Sequence, residues 1–154
     1  CDMISSAVEP PFCLDEIEVN RGGISYTIDT LESLSVSMTN CSLCLLIGED
    51  AFDSLGSWRR ADELLLLAHL VVISRGSTTS DRKGEWSDFR YGKITTDSAD
   101  LCSSAGFIYF LQVPFFPISS TDIRRKIKNG LSINGLVPDS VKSIIREKKL
   151  YKYD

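Results

Sequence analysis

Several groups of polar residues in this 154-residue chain have the types and spacing to hold an anionic ligand. Ser25-Tyr26-Thr27 stands directly before Ile28, Leu31 and Leu34, which repeat at helical spacing, so Ser25 or Thr27 is placed to cap a helix. Ser119-Ser120-Thr121-Asp122 stands in the same relation to Ile123 and Ile127, with Ser119 and Asp122 at capping-box spacing. A helix start offers unpaired N–H groups and the positive end of a dipole, a natural seat for carboxylate or phosphate. Arg124, one turn into its helix, is placed to add a bidentate contact to the same anion. Gly48-Glu49-Asp50 follows an apolar run and has Trp58 downstream, and Arg75 follows a second such run.

Each of these residues also has a plainer reading. Trp58 at helix spacing is most often packing, Asp50 after a strand is a common turn residue, and an isolated Arg75 is ordinarily solvated. Capping by Ser119 and Thr121 is compatible with anion binding, because the two use different N–H groups. His69, the one histidine, lies in the apolar segment Leu64 to Ile73 and reads as a buried neutral side chain. Arg124-Arg125-Lys126-x-Lys128 and Arg146 to Lys149 are more often solvated faces than binding sites, with only Arg124 placed by motif. Cys41 and Cys44 have metal-like spacing, yet neither a second pair nor a nearby histidine completes four ligands, so no metal site is expected.

The elements that must position these residues follow from the pattern. Phe12 to Val19 alternates loosely and suits a strand, and Arg21-Gly22-Gly23 turns the chain. Cys41 to Ile47 and Leu70 to Ile73 are apolar runs of strand length that end in polar loops, as buried parallel strands do. A helix is expected around Trp58 to Leu67, and residues 76 to 106 read as loop-rich surface with a short helix around Trp86 to Phe89. Phe107 to Val113 gives a further strand. Gly130 closes the helix after Ser119, and Pro138 opens a final one with Val141, Ile144 and Ile145. Strands alternating with helices indicate an α/β fold, a parallel sheet with helices on both faces. Ligands bind in such sheets where strand C-termini meet helix N-termini, so the polar groups above fall along one sheet edge.

Composition narrows the partner. Apolar residues at 43% and charged residues at 25% exclude collagenous, disordered and coiled-coil classes. One domain over 1–154 is expected, burying roughly 70% of its unfolded-chain surface. A net charge of −4 with scattered basic residues argues against nucleic acid and points to a small partner. No apolar run is long enough to span a membrane, and five cysteines, an odd number, fit a reducing, cytoplasmic setting better than a disulfide framework. The chain opens Cys-Asp-Met, and Met3 to Val8 reads as the end of an amphipathic helix closed by Glu9-Pro10-Pro11, so an upstream portion is expected, and the domain is read as incomplete at its N-terminus.

Together the motifs resemble the bacterial nicotinate-nucleotide adenylyltransferase family of the nucleotidyltransferase superfamily. The resemblance runs through Ser25-Tyr26-Thr27-x-x-Thr30-Leu31, Leu46-Ile47-Gly48-x-Asp50, Trp58, Ala68-His69-Leu70-Val71-Val72 leading to Arg75, Ile118-Ser119-Ser120-Thr121-x-Ile123-Arg124, and Leu136-Val137-Pro138 to Leu150-Tyr151. It implies a Rossmann-like sheet and transfer of AMP from ATP to nicotinate mononucleotide, giving deamido-NAD and pyrophosphate with Mg²⁺ accompanying ATP and no bound redox cofactor. It further implies that Trp58 stacks on the nicotinate ring while backbone amides near Thr27 and Arg59 receive its carboxylate, with Ser25 in the same loop. Gly48 and Asp50 would hold ribose, Ser119, Ser120 and Arg124 would face the ATP phosphates, and Arg75 would flank the nucleotide. No protein nucleophile is implied, so no residue is assigned a covalent catalytic role.

The chain departs from that family in one respect. The glycine-rich first strand and loop of the type Gly-x-Phe-Asp-Pro-x-His-x-Gly-His has no counterpart, so the first strand is expected to be missing and His69 cannot take its histidines' role. The alternatives are a related enzyme acting on nicotinamide mononucleotide, or a nucleotide-binding fragment with impaired catalysis.

Overall fold

The computed structural model describes residues 1–74, 93–114 and 116–151. These form two compact units, Arg21–Phe115 and a second built from Cys1–Asn20 with Phe116–Asp154.

The first unit carries a four-stranded sheet in the order β1-β2-β4-β3, with β1 Cys44–Gly48, β2 His69–Ser74, β3 Lys93–Thr95 and β4 Phe107–Gln112. Every pairing is parallel, in the registers Leu46↔Val71, Val72↔Phe110 and Ile94↔Ile108. β2 is buried along its length except at Ile73, which is why its sequence is a continuous apolar run rather than an alternating one. β1 lies at one edge of the sheet, and its Leu46 is 59% exposed. Helix α3 (Thr27–Ser37) buries Ile28 and Leu31 against a core of Phe52, Leu55, Leu64, Leu70, Val72 and Ile108. Phe52, on the short helix α4 (Glu49–Asp53), meets Phe110 of β4 edge to face at 5.7 Å, a favoured aromatic geometry.

The second unit is helical. Helices α6 (Ser120–Lys128) and α7 (Asp139–Glu147) surround a small core of Ile133, Val141 and Ile145, joined by Met3 of α1 (Asp2–Ala7), Ile123, Ile127 and Leu150. Lys148 pairs with Asp2, and Ser140 donates to the Ser6 carbonyl at 2.8 Å, fastening α1 to α7.

The structure departs from the sequence reading at four places. Phe12 to Val19 forms no strand. Instead the Asp15 carboxylate accepts from the Ile17 N–H at 2.9 Å and starts helix α2 (Ile17–Arg21), a local cap outweighing a loose alternation. The N-cap position of α3 falls on Tyr26 rather than on Ser25 or Thr27, and Thr27 is the first helical residue. The helix expected around Trp58 to Leu67 is a 3-10 turn at Leu55–Ser57, an extended Trp58, a second turn at Ala61–Glu63 and one α-turn, α5 (Leu64–Leu67). Arg60 in the left-handed region (φ 52°) breaks the continuity. Finally, β3 and the 3-10 turn Ser98–Cys102 lie within the stretch read as loop, β3 being too short to show a period. The short helix expected around Trp86 to Phe89 lies outside the described residues.

Candidate functional site

Ser25, Thr27, Trp58 and Arg59 meet around a single cavity of about 270 Å³, completed by Tyr26 and Ser57. One wall is the chain entering α3. Tyr26 is extended (φ −109°, ψ 139°), and its carbonyl accepts from the Asp29 N–H at 3.1 Å and the Thr30 N–H at 3.3 Å. The Tyr26 side chain makes no cap hydrogen bond, and the positive end of the helix dipole lies at the Ser25–Thr27 loop.

The other wall is the 3-10 turn after α4. The Ser57 N–H donates to Ser54 and the Trp58 N–H to Leu55, each at 3.0 Å, while Leu55 is fully buried and anchors the turn. Trp58 leaves the turn extended and half-buried, one part against the core and one part on the cavity. The Arg59 guanidinium carbon lies 4.5 Å from the centre of the Tyr26 ring, a cation–π contact between the two walls.

A charged clamp holds the walls in register. Arg60 donates through Nε and Nη2 to both oxygens of Glu63, at 2.7 and 2.5 Å, and through Nη2 to Glu32 on α3 at 2.7 Å. Hydrogen bonds donated to Glu63 and Glu32 push the Arg60 pKa further up, and Arg60 in turn holds the Glu63 carboxyl below the ordinary glutamate range. Sequence reasoning singled out Tyr26 within Ser25-Tyr26-Thr27 without giving it a role of its own, and missed Ser57, Glu32, Arg60 and Glu63. Only the three-residue spacing of Arg60 and Glu63 was visible in the sequence; Glu32 lies 28 residues away.

Gly48 and Asp50 lie at the C-terminal end of β1. Gly48 is the extended N-cap of α4, and Asp50 is exposed in that helix's first turn. Between them Glu49 accepts from the hydroxyl of fully buried Ser74, the last residue of β2, at 2.9 Å, tying two strand ends together. Arg75 lies outside the described residues.

In the helical unit, Ser119 Oγ accepts from the Asp122 N–H at 3.1 Å and donates to the Asp122 carboxylate at 2.9 Å, so the capping spacing is realised. Ser120 is the first residue of α6 and is exposed, as is Arg124. Arg125 instead pairs with Asp122 at 2.5 Å. Among the described residues no ion pair takes Arg124, which is therefore available to an external anion.

His69 is fully buried, as its surroundings in the sequence suggested. Its Nδ1 accepts from the Phe107 N–H at 3.1 Å, so Nε2 carries the proton and donates to the Ser103 carbonyl, also at 3.1 Å. Both nitrogens are committed to backbone, and the ring joins the starts of β2 and β4. Among the described residues no three His, Cys, Asp or Glu side chains are grouped to hold a metal ion.

Comparison with known proteins bears on these groups. Residues 1–126 match the cytidylyltransferase-like family model. A probable nicotinate-nucleotide adenylyltransferase of Methylococcus capsulatus is 38% identical over 141 residues, covering 91% of this chain and 67% of that protein. One from Marinobacter nauticus is 39% identical over 154 residues, covering 97% and 71%. The fold resembles Plasmodium falciparum nicotinic acid mononucleotide adenylyltransferase, solved with APC (TM-score 0.56) and with NaAD (TM-score 0.55), each at 18% identity. The match covers 86% and 85% of this chain but only 61% and 59% of those chains.

Proposed function

This chain belongs to the cytidylyltransferase-like family and, within it, to the nicotinate-nucleotide adenylyltransferases, and from that premise we propose that it binds nicotinate mononucleotide in the Ser25–Arg59 cavity and accepts AMP onto it from ATP. The observation that carries the reading is the cavity itself: an aromatic face, a guanidinium and a helix start around one space. Trp58 stacks on the pyridine ring, and the backbone near Thr27 and Arg59 receives the carboxylate, which an uncharged nicotinamide would not reward. Gly48 and Asp50 hold ribose. In the helical unit, the start of α6 at Ser119 and Ser120, together with Arg124, takes ATP phosphates, and Arg75 flanks the nucleotide.

On this reading the phosphate of nicotinate mononucleotide attacks the α-phosphorus of ATP, forming the new P–O bond as the bond to the β-phosphate bridging oxygen breaks and pyrophosphate leaves. The chain's contribution is positioning and charge stabilisation, with no protein nucleophile. His69 takes no part, since a proton moved to or from its ring would break a backbone bond. Mg²⁺ enters with ATP. The described residues form no metal cage, so no step is assigned to a resident ion. Residues 1–154 are read as one nucleotidyltransferase domain, the family match running through both compact units, and its setting as the cytoplasm; among the described residues no helix is long and apolar enough to cross a membrane.

The test is calorimetric titration of each nucleotide together with an assay for deamido-NAD and pyrophosphate. Saturable binding of nicotinate mononucleotide in preference to nicotinamide mononucleotide, with product formation, is expected. Binding of both nucleotides without turnover leaves a nucleotide-binding role, and absence of saturable binding to either mononucleotide overturns the reading.

A further inference from the structure

Two adjacent arginines follow Trp58, and they are held in opposite ways. Arg60 gives its guanidinium to the carboxylates of Glu63 and Glu32, at 2.5 and 2.7 Å, so its charge is matched within the chain. Arg59 is exposed, and among the described residues no ion pair takes it. Its guanidinium carbon lies 4.5 Å from the centre of the Tyr26 ring, and Tyr26 is itself half-buried against the core of the first unit. An aromatic face attracts a cation through its quadrupole and carries no net charge, so this contact restrains the Arg59 head without cancelling its charge. It also leaves the N–H donors of the planar fork to a second partner. Arg59 and Tyr26 line the cavity of about 270 Å³ with Ser25, Thr27, Ser57 and Trp58, and among these described lining residues Arg59 supplies the one formal charge.

We infer that the Arg59 side chain is the specificity-determining group of this cavity: its guanidinium, steadied over Tyr26, pairs with the ring carboxylate of nicotinate mononucleotide and sets the preference for acid over amide. The inference rests on the adenylyltransferase reading and deepens it, adding a side-chain charge to the backbone donors near Thr27 and Arg59. Backbone N–H groups donate to a carboxylate oxygen and to a carboxamide oxygen alike. A guanidinium meets a carboxylate through two charge-assisted bonds, but finds only one neutral acceptor on a carboxamide. The two mononucleotides share ring, ribose and phosphate and differ in that group alone, so discrimination between them reads this contact directly.

The test is the ratio of dissociation constants for nicotinate and nicotinamide mononucleotide, measured by calorimetric titration of the full chain and of Arg59→Gln, Arg59→Lys and Tyr26→Leu. Arg59→Gln should lower nicotinate mononucleotide affinity about 10- to 100-fold, the weight of a charge-assisted bond, and leave nicotinamide mononucleotide affinity in place. Arg59→Lys should keep part of the preference, as a point charge without the fork. Tyr26→Leu should lie between the native chain and Arg59→Gln, because the charge remains and its restraint is lost. Added salt should narrow the preference of the native chain, since Arg59 is exposed, and change that of Arg59→Gln little. An Arg59→Gln variant that keeps the full native preference would overturn the inference and leave the binding reading standing, with the backbone alone sensing the carboxylate. Equal losses for both mononucleotides would also overturn it, placing Arg59 on the ribose or phosphate they share. A native chain that binds neither mononucleotide removes the reading and the inference together.

Discussion

The cavity at Ser25–Arg59 and the start of α6 at Ser119–Arg124 are both suited to anions, and they are built by opposite means. The first depends on residues far apart in the chain: a cation–π contact from Arg59 to Tyr26, a forked Arg60 that reaches Glu32, and a core that holds Ile28 and Leu55 behind the two walls. The second is written within seven residues, where Ser119 caps the helix through the Asp122 N–H, Arg125 is consumed by Asp122, and Arg124 is left exposed. A site assembled by tertiary contacts can surround a ring. A helix start can only face a charge.

The largest effect that should separate the two comes from Trp58→Ala. It removes an aromatic face worth about 1–3 kcal/mol by analogy with base stacking and part of the packing on the core, so nicotinate mononucleotide affinity should fall while ATP affinity holds. Separate calorimetric titrations decide it. Equal losses for both nucleotides would make Trp58 a packing residue alone.

Arg124→Ala should act on the other ligand. Loss of a charge-assisted phosphate contact, about 1.5–3 kcal/mol, should weaken ATP binding and leave nicotinate mononucleotide unaffected, with Arg124→Lys restoring part. Arg125→Ala removes only an exposed ion pair and should change ATP affinity little. If the two alanine variants behave alike in titration, the assignment of Arg124 fails.

A smaller effect tests whether α6 is locally encoded. Ser119→Ala removes a realised cap and should cost about 1 kcal/mol, read as faster amide exchange in the first turn of α6, with the Ser25–Arg59 walls unchanged. The smallest concerns the clamp. Glu63 has its pKa depressed by Arg60 in the folded state, so its contribution is present above the ordinary glutamate pKa and is lost as pH falls through the folded value. On acidification across that window the native chain should lose more thermal stability than Arg60→Gln does. Parallel melting curves would refute the clamp.

Much of this was legible in the sequence. The apolar runs at 41–47, 70–73 and 107–113 became β1, β2 and β4, each a short apolar run of strand length, although only β2 is buried along its length, the case in which no alternation is needed. Ser119 with Asp122, and Gly130 (φ 67°) closing α6, followed from rules that operate within one helical turn. β3 escaped because three residues carry no period, and the segment at Phe12 to Val19 misled because its alternation was weaker than one Asp15 cap.

What the sequence determined by itself was therefore whatever depends on near neighbours: β1, β2, β4, α3, α6 and α7, the α6 cap, and the motifs Ser25-Tyr26-Thr27 and Gly48-Glu49-Asp50. The tertiary structure alone decided that Trp58 is extended rather than helical, that Tyr26 and Arg59 close on each other, that Glu32 meets Arg60, and that Ser74 seats Glu49. The physical reason is range. A cap or an apolar period is fixed by backbone geometry over a few residues, whereas a contact between residues 28 apart exists only once the core around Ile28, Leu55 and Leu64 has brought their elements together.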